Sequence, residues 1–267
     1  MHSELEPLQY RLEETATQMD GIVAAALVRR GGLQIGMLPE YGLRHNLRGG
    51  AITVELLHPA VGRLDKSHFA SAVHDAGLEW LLFCRSMVRI LTLQRRLLDL
   101  GRPIPCTVDA PQELLLNDAL RRRCAAWVAD SGLVPACIRL RFSQRQTANW
   151  DIQMLHGARA IQERGFGIAF DLASMTGIDI DKLDISRSTI LVGRAVIAMA
   201  RRDADCETVL REKLEWAMAN GAQAVACGIA SPHCVKIAMD LGFKLLQGRQ
   251  FPLPLDVAQA LTVVNAH

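Results

Sequence analysis

The chain has 267 residues, half of them hydrophobic, and a formal net charge of +2. That length fits one large α/β domain with a short extension, because (β/α)8 barrels run to about 250 residues. The near balance of charge excludes a general nucleic-acid binder, which needs a concentrated basic face.

Glu4 to Arg30 reads as an N-terminal helix, giving a first segment of residues 1–30 and a main domain of residues 31–267. Leu8, Leu12, Thr15, Met19 and Ile22 recur at helical spacing as a narrow stripe, and Gly31-Gly32 ends the pattern. The stripe suits packing on the chain's own domain and suits a coiled-coil partner equally well. Beyond it, short apolar runs alternate with longer amphipathic ones. Strands are expected at Leu33–Leu38, Ala51–Leu57, Ile104–Val108, Cys137–Phe142, Gly167–Phe170, Lys182–Ile185, Ala222–Ala226 and Lys244–Leu246. Helices are expected at Lys66–Ala76, Leu78–Leu100, Pro111–Ser131, Asn149–Arg164, Ser188–Asn220 (broken near Arg202–Asp205), Pro232–Leu241 and Leu255–Val264. Strand after helix after strand argues for a parallel sheet with crossover helices, and this number of strands suits a closed α/β barrel. No G-x-G-x-x-G follows an early strand, which weighs against an open dinucleotide-binding sheet.

The seven cysteines are scattered, and no C-x-x-C occurs, so buried free thiols in a reducing cytoplasm fit them better than a zinc site or a disulfide framework. No run of about 18 apolar residues is present to span a membrane. The start, Met1-His2-Ser3-Glu4-Leu5-Glu6, is too acidic for a secretory signal. A cytoplasmic chain is expected.

Leu38-Pro39, His58-Pro59, Gly77-Leu78, Gly165-Phe166-Gly167-Ile168-Ala169-Phe170-Asp171 and Gln247-Gly248 stand in a telling order and spacing. In that order the chain, over about Gly32 to Pro254, resembles an EAL domain, the bacterial domain that hydrolyses cyclic di-GMP. The resemblance implies a TIM-like barrel with one antiparallel strand near Leu33–Leu38. It also implies a site at the carboxyl ends of the strands, built on two divalent cations and a lysine.

At the positions the resemblance assigns to that chemistry, this chain departs. The family's dinucleotide-contacting glutamine falls on Leu38, its metal-binding glutamate on Ala51, and its phosphate-binding arginine on Glu55. An asparagine ligand is replaced by Asp109, and a second carboxylate by Arg141. Paired aspartates read Asp171-Leu172, the lysine aligns with Asp184, and a late glutamate aligns with Cys227. The loop Leu172-Ala173-Ser174-Met175-Thr176-Gly177 is shorter than the family's. Ala51, Asp109, Arg141, Asp171, Asp184 and Cys227 are therefore read as a vestigial pocket with no catalytic residue, metal or cofactor.

Arg141 is expected to pair with Asp109, Asp171 or Asp184, Asp171 being favoured as its partner over a role as ligand remnant. Cys227 is read as a small buried thiol, since His233 lies on the following helix and no other histidine is placed to activate it. Arg121-Arg122-Arg123 and the pair Arg139 and Arg141 read as solvated faces, the triple arginine also suiting an acidic partner. The expected function is a non-catalytic signalling module that contacts another protein, or forms a homodimer, through the N-terminal helix or the barrel surface. Two alternatives stay open: a receptor that binds cyclic di-GMP without cutting it, and an enzyme on a remodelled carboxylate site of Asp109, Asp171 and Asp184.

Overall fold

A computed structural model describes residues 26, 28–30, 32–44, 46–60, 62–142, 151–172 and 184–251. Strand β1 (Leu33–Gly42) runs antiparallel to β2 (Leu47–His58), and β3 (Gly62–Asp65) folds back along the far half of β2. Strands β4 (Cys106–Asp109), β5 (Ile138–Arg141), β6 (Gly167–Asp171), β7 (Ser188–Val192), β8 (Gln223–Cys227) and β9 (Leu245–Gln247) then follow, and from β5 on each is parallel to the one before. β4 adds in parallel to β2, and β1 pairs with β9 as well as β2, which closes eight strands into a barrel with β3 outside it. β1 is antiparallel to both neighbours, as the resemblance implies.

The connecting helices are α1 (Lys66–Asp75), α2 (Glu79–Asp99), α3 (Glu113–Leu116), α4 (Asp118–Asp130), α5 (Ile152–Glu163), α6 (Arg194–Ala200), α7 (Ala204–Ala219) and α8 (Pro232–Asp240). Their starts follow capping chemistry. Asp65, Asp151 and Ser231 each accept a hydrogen bond from a backbone amide in the first turn of α1, α5 and α8.

Four expectations change. Of the strand placed at Lys182–Ile185, the first two residues lie outside the described ones; Asp184 to Arg187 form a short turn, and the strand that follows is Ser188–Val192. The run Ser-Thr-Ile-Leu-Val is fully buried, and Gly193 separates it from α6, so the apolar pattern read as helical from Ser188 changes period there, while the break expected near Arg202–Asp205 falls between α6 and α7. β3 was not expected from the sequence. The helix expected over Pro111–Ser131 divides at Asn117, whose extended backbone and side-chain cap start α4. The pair Arg139 and Arg141 is not a solvated face, because alternation along β5 turns both into the barrel. The helix expected at Leu255–Val264 lies outside the described residues, as does the N-terminal helix except at residues 26 and 28–30, which are helical.

Alternation along the strands sorts the core. Val108, Ile138, Leu140, Ile168 and Ile190 face outward into the main core beneath the helices. Ala169, Leu191 and Val225 pack together with Cys227 and Leu245 inside the barrel. Deeper in the barrel, Arg139 Nη2 donates to Glu40 Oε2 at 2.6 Å, with the two side chains 4% and 1% exposed. Arg139 also reaches the Pro105 carbonyl at 3.1 Å and Thr189 Oγ1 at 3.4 Å. Glycines make the space: a Cβ on Gly49 would run into Glu40 Oε2, and one on Gly167 would lie 2.8 Å from Arg139 Cγ.

Candidate functional site

The carboxyl ends of the parallel strands form the mouth of the barrel, where this architecture places its chemistry. Asp109 ends β4 and Arg141 ends β5, side by side in register. Arg141 Nε donates to Asp109 Oδ1 at 2.5 Å. Lys66 Nζ donates to Asp109 Oδ2 at 2.6 Å. Both carboxylate oxygens are thus engaged by cations, one from the neighbouring strand and one from the first residue of α1. β3 makes the second contact geometrically available: its pairing of Asp65 with Glu55 starts α1 beside the mouth.

The electrostatics follow. Burial pushes the Asp109 carboxyl up, but Arg141 and then Lys66 outweigh it and hold the group well below the usual carboxylate range. Asp109 in turn holds the Arg141 guanidinium more firmly charged than usual. Asp171, at the end of β6, is raised by burial and by the charge on Asp109, against the pull of Arg141. Cys227, at the end of β8, is pushed up to about 12, first by burial and then by Glu40. It is a neutral thiol at physiological pH and a poor nucleophile.

Of the six residues assigned to the pocket, the structure brings Asp109, Arg141, Asp171 and Cys227 into one electrostatic neighbourhood. The ion pair of Arg141 is with Asp109, where the sequence reading favoured Asp171. Ala51 is buried on β2, paired with Thr107 on β4 and Leu38 on β1. Glu55 faces Arg63 at 3.8 Å.

Asp184 does not join the mouth. It caps the turn before β7, accepting from Ser186 N at 3.1 Å and lying 3.5 Å from Arg187, at the opposite end of that strand. The β7 residue in register with Asp171 is Leu191, buried in the barrel interior. Leu191 is thus the residue at the strand end where the lysine was looked for. Lys66 escaped the sequence reading because a lysine opening a helix is ordinary, and nothing in the local pattern marks β3. Among the described residues no three His, Cys, Asp or Glu side chains converge as a metal-binding group, and no helix is long and apolar enough to cross a membrane.

The family model described as the EAL domain matches residues 39–254. The cyclic di-GMP phosphodiesterase RocR of Pseudomonas aeruginosa is 24% identical over 212 residues, which are 78% of this chain and 54% of RocR. The chain therefore spans about half the length of that curated relative. Among solved structures, the PaMucR phosphodiesterase in complex with c-di-GMP superposes with a TM-score of 0.76 at 17% identity, covering 89% of this chain and 97% of that one. The FimX EAL domain from Pseudomonas aeruginosa bound to c-di-GMP gives 0.71 at 13% identity, with the same two coverages.

Proposed function

We propose, because this chain belongs to the EAL domain family and yet carries a fixed charge cluster where that family's reaction calls for cations, that it is a non-hydrolysing member acting through protein contacts. The observation that carries this reading is the double engagement of Asp109 by Arg141 and Lys66.

The residues present do not fit two divalent cations. Magnesium needs several oxygen ligands in near-octahedral array. Here Ala51 and Leu191 offer none, Cys227 offers a neutral thiol, and Arg141 is itself a cation at a position where a carboxylate is expected. Asp109 would have to exchange two charged partners for a metal. Asp171, raised by burial, is a weaker anion than an ordinary aspartate.

Binding of cyclic di-GMP without turnover is the second reading. The FimX EAL domain bound to c-di-GMP, similar in fold, makes it worth testing. Against it stand Leu38 in place of the expected glutamine and Glu55 in place of the phosphate-binding arginine, the latter repelling phosphate. The protein-contact reading draws support from apolar side chains left on the surface. Val209 and Trp216, two turns apart on α7 and so on one face, are 50% and 41% exposed. The other contact surfaces put forward are the N-terminal segment, residues 1–30, and the rest of the barrel exterior.

Calorimetric titration of the chain with cyclic di-GMP, with and without magnesium, tests the proposal. The reading expects no saturable heat and no linear product. Saturable heat with intact nucleotide would move the assignment to a receptor, and linear product would move it to an enzyme.

A further inference from the structure

The end of the barrel opposite the mouth, where the parallel strands begin, is unevenly charged. Part of it lies under β8, β9, β1, β2 and β4, which are consecutive around the barrel. The β1–β2 hairpin over residues 42–48, the last turns of α2, α7 and α8 and the loops after those helices build this part. Together they carry five exposed cations, Arg44, Arg48, Arg96, Arg102 and Lys244, against two acids, Asp99 and Asp240. The local charge is thus +3, where the whole chain carries +2. Asp99 is moreover shared with Arg95 at 3.5 Å. Under β5 to β7 charges pair instead, Arg159 with Glu163 and Arg187 with Asp184.

Leucines stand among these cations. Leu43 follows Gly42, whose partner Leu245 opens β9, so the hairpin tip lies beyond the strand ends. Gln94 of α2 donates to the carbonyls of Ile104 and Cys137, just ahead of β4 and β5. Gln94 is therefore level with the start of the sheet, and Leu98, one turn on along the same face of α2, lies past it. Leu91 and Gln94 on that face are buried, whereas Leu43, Leu98 and Leu100 are 43%, 41% and 43% exposed. A hollow of 580 Å³ lies open between the hairpin and the loop before β4. Arg48 and Lys244 line it beside Pro103, Ile104 and Leu245, with no acid among the described residues of its wall.

We propose that this end of the barrel docks on the surface of an anionic lipid bilayer, with the cations among the headgroups and Leu43, Leu98 and Leu100 at the acyl boundary. Cations are drawn to an anionic leaflet, and aliphatic side chains gain by leaving water for its boundary. A soluble polyanion would engage the cations and leave the leucines in water. The leucines sit on separate segments with cations between them. A fluid surface accepts that spread, whereas a protein partner would have to match its shape. No helix among the described residues can cross a membrane, so the contact is peripheral. The mouth lies at the other end of the strands. A docked barrel therefore turns Lys66, Asp109 and Arg141 away from the bilayer, open to a soluble partner. The inference holds whether or not the mouth cuts a nucleotide.

The test sediments the full chain with sucrose-loaded vesicles of phosphatidylcholine, with and without about one third phosphatidylglycerol. The chain should pellet with the anionic vesicles alone, and less so as salt is raised. Arg48→Gln/Lys244→Gln should weaken binding about twentyfold, or about fivefold per cation. Leu43→Ser should weaken it about fivefold. Arg89→Gln makes the same change of charge on the flank of α2, about 15 Å before its end and beyond the screening length, and should leave binding unchanged. All four positions are exposed, and unchanged melting temperatures check that each variant folds. Absence of the chain from the anionic pellet, or equal pelleting with neutral vesicles, would overturn the proposal. So would a loss in Arg89→Gln equal to that of the double variant. Leu43→Ser that binds like the unmutated chain would overturn it as well, and would assign the face to soluble polyanions.

Discussion

Arg141 and Asp109 sit side by side on neighbouring parallel strands, and Nε of one donates to Oδ1 of the other at 2.5 Å. Their side chains are 29% and 27% exposed, so the pair is shielded from water without being sealed from it. Breaking a fully buried pair costs about 3–5 kcal/mol. Partial exposure, and the continued presence of Lys66 on the other carboxylate oxygen, lower the expectation here. Arg141→Met should destabilise the fold by about 1–3 kcal/mol in urea. The double variant Arg141→Met/Asp109→Leu should recover part of that loss. A double variant that loses the full sum of the two single losses would show that the residues do not act as a pair.

Arg139 and Glu40 form the more deeply buried pair, and their loss should cost more. Glu40→Ala leaves a guanidinium inside the barrel with no countercharge and is expected to destabilise by about 3–5 kcal/mol. Gly49→Ala, a single added methyl, should cost about 1–3 kcal/mol because it drives into Glu40 Oε2. Equilibrium unfolding of both variants checks this. If Gly49→Ala were neutral, the barrel interior would not be as tightly fitted around the pair as the structure has it.

Two aspartates at the mouth should respond to pH in opposite directions. The folded-state value of Asp109 lies below its unfolded value. Its contribution to stability is therefore fully present above the ordinary carboxylate pKa of about 3.9 and is lost as pH falls through the depressed folded value. Asp171 is raised by burial, so its charged form costs stability at neutral pH, and the cost disappears as the group protonates in acid. Asp109→Asn should thus be destabilising at pH 7, with a deficit that shrinks below about pH 4. Asp171→Asn should be neutral to stabilising at pH 7, with an advantage that shrinks as pH falls. Urea unfolding across pH 3–8 distinguishes the two, and parallel curves would contradict the assignment.

The barrel was legible because its signals are distributed: eight short apolar runs spaced by amphipathic helices carry the architecture even when one run is misplaced. Ser188–Val192 was misread because four apolar or β-branched residues, Thr189 to Val192, adjoin a helix of similar composition, and only Gly193 marks the change of period. That slip carried the lysine position to Asp184, at the wrong end of β7. The pairing of Arg141 was legible in kind, since a guanidinium at a strand end among carboxylates needs one of them. Which carboxylate it takes depends on strand register, and the registry of β4 with β5 selects Asp109. Lys66 and Arg139 were not legible at all. One is brought in by a four-residue strand with no distinctive composition, and the other is buried by glycines on two different strands.

If Asp109 is held by side-chain cations, added metal has nothing to gain at the mouth. Millimolar magnesium or manganese should leave the melting temperature unchanged, since a ligand that binds only the folded state must raise it. Arg141→Glu, which restores a carboxylate, should make the melting temperature rise with manganese if the mouth otherwise keeps its shape. A manganese-dependent rise in the unmutated chain would show that Arg141 and Lys66 yield to a cation.

The most direct measurement incubates the purified chain with cyclic di-GMP at millimolar magnesium or manganese and separates the nucleotides by chromatography. The account predicts no linear dinucleotide above a protein-free control. Linear dinucleotide that accumulates with time and disappears in Asp171→Asn would contradict it, and would mean that the Arg141–Asp109–Lys66 cluster opens to admit the cations it is argued to replace.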